Sequence, residues 1–231
     1  MRPVIRGEAK DENTGNSINF QKYGDAKPYL LENIGEYCSY CERKVNNLLA
    51  VEHIKPKEYY PALELVWDNF LLACTNCNSI KGQKTINLSD YFWCDHDNTF
   101  LAFTYANGLI KINDNLTETQ KEISQKTIEL TGLDRVPGHP NYSRKDQRWK
   151  ERQDKWGKAQ RAYNNLQKND IEEQRQTIID LALESGFWSI WMTVFRDDKD
   201  MLERFIKAFP GTCQDFFDQD FNVVPRPGGA L

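Results

Sequence analysis

Cys38-Ser39-Tyr40-Cys41, Val51-Glu52-His53-Ile54, Asn69 and Cys74-Thr75-Asn76-Cys77-Asn78, with Lys81 and Lys84 close behind, form the stretch that decides how this chain is read. Its two C-x-x-C pairs are separated by the 32 residues from Glu42 to Ala73. Each pair is a short knuckle that presents two sulfurs, and four thiolates suit one tetrahedral Zn²⁺. Cys38, Cys41, Cys74 and Cys77 are therefore expected to hold a structural zinc. Between the knuckles, Leu48 to Ile54 is apolar and partly β-branched, hence strand-like, and Lys55-Pro56 ends it because proline donates no ladder hydrogen bond. Apolar residues recur from Ala62 to Leu72, and Asn78 to Gln83 is expected to open a helix just past the second knuckle.

The carboxylate and imidazole of Glu52-His53 are where chemistry is expected. Hydrolysis of a phosphodiester needs a deprotonated water, a cation to absorb charge on the phosphoryl oxygens, and a scaffold that keeps both in register. His53 can supply the first, since an imidazole titrates near neutral pH. Glu52 and Asn78 can offer hard oxygens to Mg²⁺ or Mn²⁺. Neighbouring residues on an ideal strand face opposite ways, so Glu52 and His53 can share one site only if the strand distorts or ends there. Asn69 can fix either His53 or the loop that carries it. Lys81 or Lys84, one turn on, is placed to meet a phosphate.

These features together resemble the HNH, or ββα-metal, endonuclease family. The resemblance covers about a quarter of the chain and implies roles: Glu52 as the metal-ligating acid, His53 as general base, Asn69 as the central Asn, Asn78 as the final metal ligand. Asn78 stands where a His is usual, and its neutral amide oxygen suits a hard cation better than Ni²⁺ or a catalytic Zn²⁺. The whole chain, from its Met-Arg-Pro start to its helical tail, is similar to the PtuB-type HNH proteins of bacterial Septu and retron-linked antiphage systems. That resemblance implies a PtuA-type ABC ATPase partner; this chain has no Walker motif of its own. Double-stranded DNA is the expected substrate, with RNA, including transfer RNA, as the alternative.

Two other readings compete with a nuclease. A zinc-stabilised binding module has no need for Glu-His, Asn and Asn-x-x-Lys at these separations. A zinc deaminase requires His-x-Glu and Pro-Cys-x-x-Cys, but Lys55 stands two after His53 and Ala73 precedes Cys74. Asp95-His96 reads as structural, His139 as loop, and Cys94 and Cys213 as small buried hydrophobes.

At 231 residues, 39% hydrophobic and 28% charged, the composition is that of a soluble globular protein. The amino terminus lacks the apolar core of a signal peptide and no stretch is long enough for a membrane span, so a cytoplasmic location is expected, where paired cysteines bind metal rather than form disulfides. The net charge of −4 does not advertise a nucleic-acid binder, yet Tyr142 to Arg161 holds eight basic side chains against three acidic ones, a candidate phosphate-tracking face.

The expected fold is α+β, mainly α. A zinc-clamped ββα-metal core in residues 1–112 would precede a helical region in 113–231 that docks a partner and contacts nucleic acid. Lys27 to Gly35 reads as a short helix leading into the first knuckle. Thr117 and Gln120 make a capping box for a helix stopping at Gly132. Further helices are expected over about 143–168, 171–185 and 201–209, with Trp149, Trp156 and Tyr163 as a packing seam. Phe187, Trp188, Trp191, Phe195, Phe205, Phe209, Phe216 and Phe217 are more than a few short helices can easily hide, so a partner-binding surface is expected there.

Overall fold

The computed structural model describes residues 1–11 and 13–231. A 3₁₀ turn at Tyr23–Ala26 runs into helix α1, Lys27–Ile34, which stops at Gly35 with φ +76°. The first knuckle follows. Strands β1, Ala50–His53, and β2, Phe70–Ala73, then pair antiparallel, with Glu52 opposite Leu71 and His53 opposite Phe70. Phe70 to Ala73 are buried throughout, as the apolar run required.

Helix α2, Thr75–Lys81, begins three residues earlier than the expected start at Asn78. Cys74, in extended conformation, is its N-cap, so Cys77 and Asn78 both lie on the helix. Gly82, at φ +56°, ends it, and Lys84 is left in the exposed segment beyond.

A short helix α3, Thr99–Ala102, leads into a second antiparallel hairpin of β3, Phe103–Ala106, and β4, Leu109–Ile112. Helices α4 (Glu118–Thr131), α5 (Arg148–Leu166), α6 (Glu172–Ser185), α7 (Trp188–Val194) and α8 (Lys199–Ala208) follow. The capping box is formed: the Gln120 N–H donates to Thr117 Oγ1 at 3.3 Å, and the Thr117 N–H donates to Gln120 Oε1 at 3.1 Å. Gly132 is the left-handed stop.

The surplus of apolar surface expected from the tail is not observed. All eight of its large aromatics are buried, because α5 packs on α7 and α6 on α8 and the rings pack on one another, with Phe195 and Phe205 at 5.4 Å and Trp191 and Phe205 at 5.9 Å. Trp156 and Tyr163 pack against this core as the seam predicts, whereas Trp149, the third of the stripe, is half-buried with its ring 6.5 Å from that of Tyr142. Buried side chains on both sides of residue 112 join a single core. No helix among the described residues is long and apolar enough to cross a membrane.

Candidate active site and metal centre

The thiol groups of Cys38, Cys41, Cys74 and Cys77 lie within 4.8 Å of one another, and all four residues are buried. Cys41 Sγ and Cys74 Sγ are 3.7 Å apart. Zinc–sulfur bonds of about 2.3 Å in a tetrahedron put neighbouring sulfurs about 3.8 Å apart, so the donor set fits Zn²⁺. Hydrogen bonds from Cys38, Cys41 and Cys77 pull the Cys74 thiol far below its ordinary value, while hydrogen bonds to Cys38 and Cys74 raise Cys41 and burial raises Cys77. Four thiols this close cannot all ionise without a cation between them.

The surroundings of the tetrad come from helix α5. Arg148, 1% exposed, points an Nη1 donor at Cys77 Sγ at 3.0 Å. The same guanidinium donates to the carbonyls of Thr131 and Gly132 and pairs with Asp146 at 2.6 Å. Buried Arg152 donates to the carbonyls of Gly108 and Leu133. Two of the eight basic residues expected to form a phosphate-tracking face are therefore turned inward, where carbonyl and sulfur acceptors compensate their burial. The Arg148 N–H donor complements the negative charge of a tetrathiolate.

Beside the tetrad, an open cleft of about 330 Å³ is lined by Glu52, His53, Asn78 and Lys81 together with Tyr23 and Lys57. Glu52 and His53 border it together because β1 ends at His53, which resolves the difficulty of adjacent strand residues. His53 Nε2 is 3.0 Å from the carbonyl of Glu64. A carbonyl only accepts, so Nε2 carries the proton and Nδ1 of the neutral ring keeps its lone pair. Burial pushes the His53 pKa below its ordinary value, which favours that neutral ring.

Asn69 holds the loop rather than the imidazole, the second of the two roles expected for it. Its Oδ1 accepts the Lys55 N–H at 2.8 Å, and its Nδ2 donates to the carbonyls of Lys55 at 3.0 Å and Leu63 at 3.1 Å. One buried amide thus staples the end of β1 to the loop that supplies the Glu64 carbonyl.

Lys81 corrects the sequence reading. It is 1% exposed, and its ammonium lies 2.6 Å from Glu52 Oε1 and donates to the His53 carbonyl at 2.7 Å. A cation held this way braces the Glu52-His53 step from the wall of the cleft. Burial raises the Glu52 carboxyl above its ordinary value, against the opposing pull of Lys81. Lys84 is exposed, outside the residues lining the cleft. Asp95 pairs with Arg6 at 2.6 Å and His96 is exposed, so that pair is structural as read. Sequence reasoning missed Tyr23, Lys57 and Arg148 as contributors, because each reaches its partner only through the fold.

Residues 38–84 match the family model described as HNH endonuclease. A 71-residue stretch is 39% identical to the Septu protein PtuB of Bacillus thuringiensis, covering 29% of this chain and 27% of that protein's length. The matched segment runs from the first knuckle through the β1–β2 hairpin and α2 to Lys84. It carries an HNH endonuclease domain of the kind found in PtuB.

Proposed function

We propose that this chain is a metal-dependent endonuclease that hydrolyses phosphodiester bonds, with DNA as its favoured substrate. The observation that carries the reading is the grouping of Glu52, His53 and Asn78 on one open cleft, with His53 Nε2 tied to a carbonyl and Nδ1 left as the base. His53 takes a proton from the attacking water at Nδ1, and the Glu64 carbonyl keeps the ring in that tautomer as charge develops on it. Glu52 and Asn78 offer the oxygens that would hold Mg²⁺ or Mn²⁺, which when bound supplies charge stabilisation to the phosphoryl and leaving oxygens. Lys81 fixes Glu52 from the buried side, and Asn69 fixes the loop. The zinc tetrad holds both knuckles and so the hairpin between them.

The likeness to a Septu protein supports a role in bacterial antiphage defence, in the cytoplasm, with a PtuA-type ABC ATPase as partner. Since the tail's aromatics are buried, such a partner would dock on the outer polar faces of the helices. The test is to purify the chain with and without its genomic ATPase neighbour and incubate each with plasmid, phage DNA and total RNA in Mg²⁺. DNA fragmentation that disappears in His53→Ala is expected. Fragmentation of RNA alone would reassign the substrate, and cleavage by His53→Ala at the wild-type rate would overturn the mechanism.

A further inference from the structure

Tyr23 lies fifteen residues ahead of the first knuckle, outside the segment that matches the family model. It is nevertheless part of the cleft. Its ring meets His53 edge to face with centroids 5.0 Å apart, and it is 37% exposed. The Lys57 ammonium sits 4.6 Å from the ring centroid and is held there by Glu64 at 2.9 Å. The main-chain carbonyl of that same Glu64 fixes His53 Nε2.

Tyr23 also borders a second hollow, of about 420 Å³, whose other walls are Gln21, Lys22, Gly24, Glu64 and Leu65. Leu65 is 41% exposed. Two open hollows therefore meet at one aromatic ring, and the proposed base stands on one side of it. The second hollow combines an exposed ring, an apolar wall, an exposed lysine at Lys22 and the amide of Gln21. This is the chemistry that binds a nucleobase out of its stack: a π-face for the base, a cation for its phosphate and an amide for its edge.

We propose that the hollow beside Tyr23 seats one unpaired nucleobase next to the scissile phosphate, with the Tyr23 ring as its stacking platform. This rests on the nuclease reading and adds to it a substrate class: a nucleic acid with an unstacked nucleotide at the cut, as in a bulge, a nick, an end or a single strand. A fully paired duplex would have to surrender a base to fill the site.

The test uses the full chain and two oligonucleotides that differ only in pairing, one carrying a bulged 2-aminopurine and the other a fully paired one. Binding is measured by fluorescence in the His53→Ala background, so that the probe stays intact, and cleavage is measured with His53 present. Base stacking on an aromatic is worth about 1–3 kcal/mol, so Tyr23→Ala should weaken binding of the bulged probe about 5- to 150-fold and abolish its quenching. Tyr23→Phe should preserve both. Tyr23→Leu keeps apolar bulk in the hollow and should lose affinity like Ala, tying the loss to the aromatic face; the His53→Ala background already separates binding from support of the base. Binding of the paired probe should change far less.

Equal binding of the bulged probe by Tyr23→Ala and by the parent would overturn the stacking site while leaving the nuclease reading intact. A wild-type chain that neither binds nor cleaves either probe would remove both.

Discussion

Cys77 and Asn78 are neighbours on α2, yet they serve opposite kinds of site. Cys77 faces a sealed centre whose donors are buried and whose surroundings are completed by Arg148 from the distant helix α5. Asn78 faces an open cleft with a half-buried imidazole across it. Structural zinc sites close all positions with protein, whereas hydrolytic sites keep room for water and substrate. On the proposed reading, one residue of the helix serves stability and its neighbour serves chemistry, and that contrast can be broken from either side.

The largest effect should come from the sealed face. Structural zinc sites carry about 10–16 kcal/mol of apparent binding energy, more than the stability of a typical domain. Cys74→Ser, or stripping with a strong chelator, should therefore abolish the cooperative melting transition, and metal analysis should find one zinc per chain before treatment. Unchanged melting of Cys74→Ser would end the division of labour.

The open face should behave in the reverse way. His53→Ala is expected to lose about 10²–10⁴-fold in cleavage rate, the usual worth of a general base, with its melting temperature retained. Circular dichroism melts beside single-turnover cleavage would separate the two outcomes.

Lys81 sharpens the comparison because it lines the open cleft and yet is itself buried. Removing one partner of a buried ion pair costs about 3–5 kcal/mol, so Lys81→Met should lower stability by that order and also raise the Mg²⁺ concentration needed for cleavage. Denaturant melts and a metal titration would read both effects; a defect confined to nucleic-acid affinity would instead favour a phosphate contact. Asn69→Ala should cost less, about 1–3 kcal/mol for the buried groups left unpaired, measured in the same melts.

The smallest expected effect is in the pH profile. A base must be unprotonated, and burial depresses His53, so the rate should rise with pH through a pKa below the ordinary imidazole value and be flat from pH 7 to 8. Ionisation of Glu52, though raised by burial, belongs to the same acid limb. A rate still climbing tenfold between pH 7 and 8 would place the depressed group elsewhere.

Much of this was legible in the order of residues. Spacing alone fixed the cysteine tetrad, the strand break at Lys55-Pro56 let Glu52 and His53 share a cleft, and Thr117 and Gln120 marked a helix start that the structure reproduces. What stayed hidden depends on which surfaces meet. Lys81 looks like any basic residue in the last turn of a helix until α2 packs on β1 and places its ammonium against Glu52. Arg148 and Arg152 count as surface charge in composition, yet carbonyls from the α4–α5 connection and the β3–β4 turn capture them. The tail's aromatics are numerous enough to suggest a sticky surface, and only the packing of α5 to α8 shows that they satisfy one another.

Helix α2 spans only Thr75–Lys81, and consecutive residues on such a helix differ by about 100° of rotation and about 1.5 Å of rise. With Cys77 in the sulfur tetrad and Asn78 lining the cleft at the next position, the helix links the two sites as a short crankshaft would. If the sulfurs hold zinc and the Asn78 oxygen a catalytic cation, as proposed, a change in the size of the ion among the sulfurs would be transmitted to that amide oxygen through one peptide unit. Swapping zinc for cadmium would then test that coupling without altering any atom that lines the cleft.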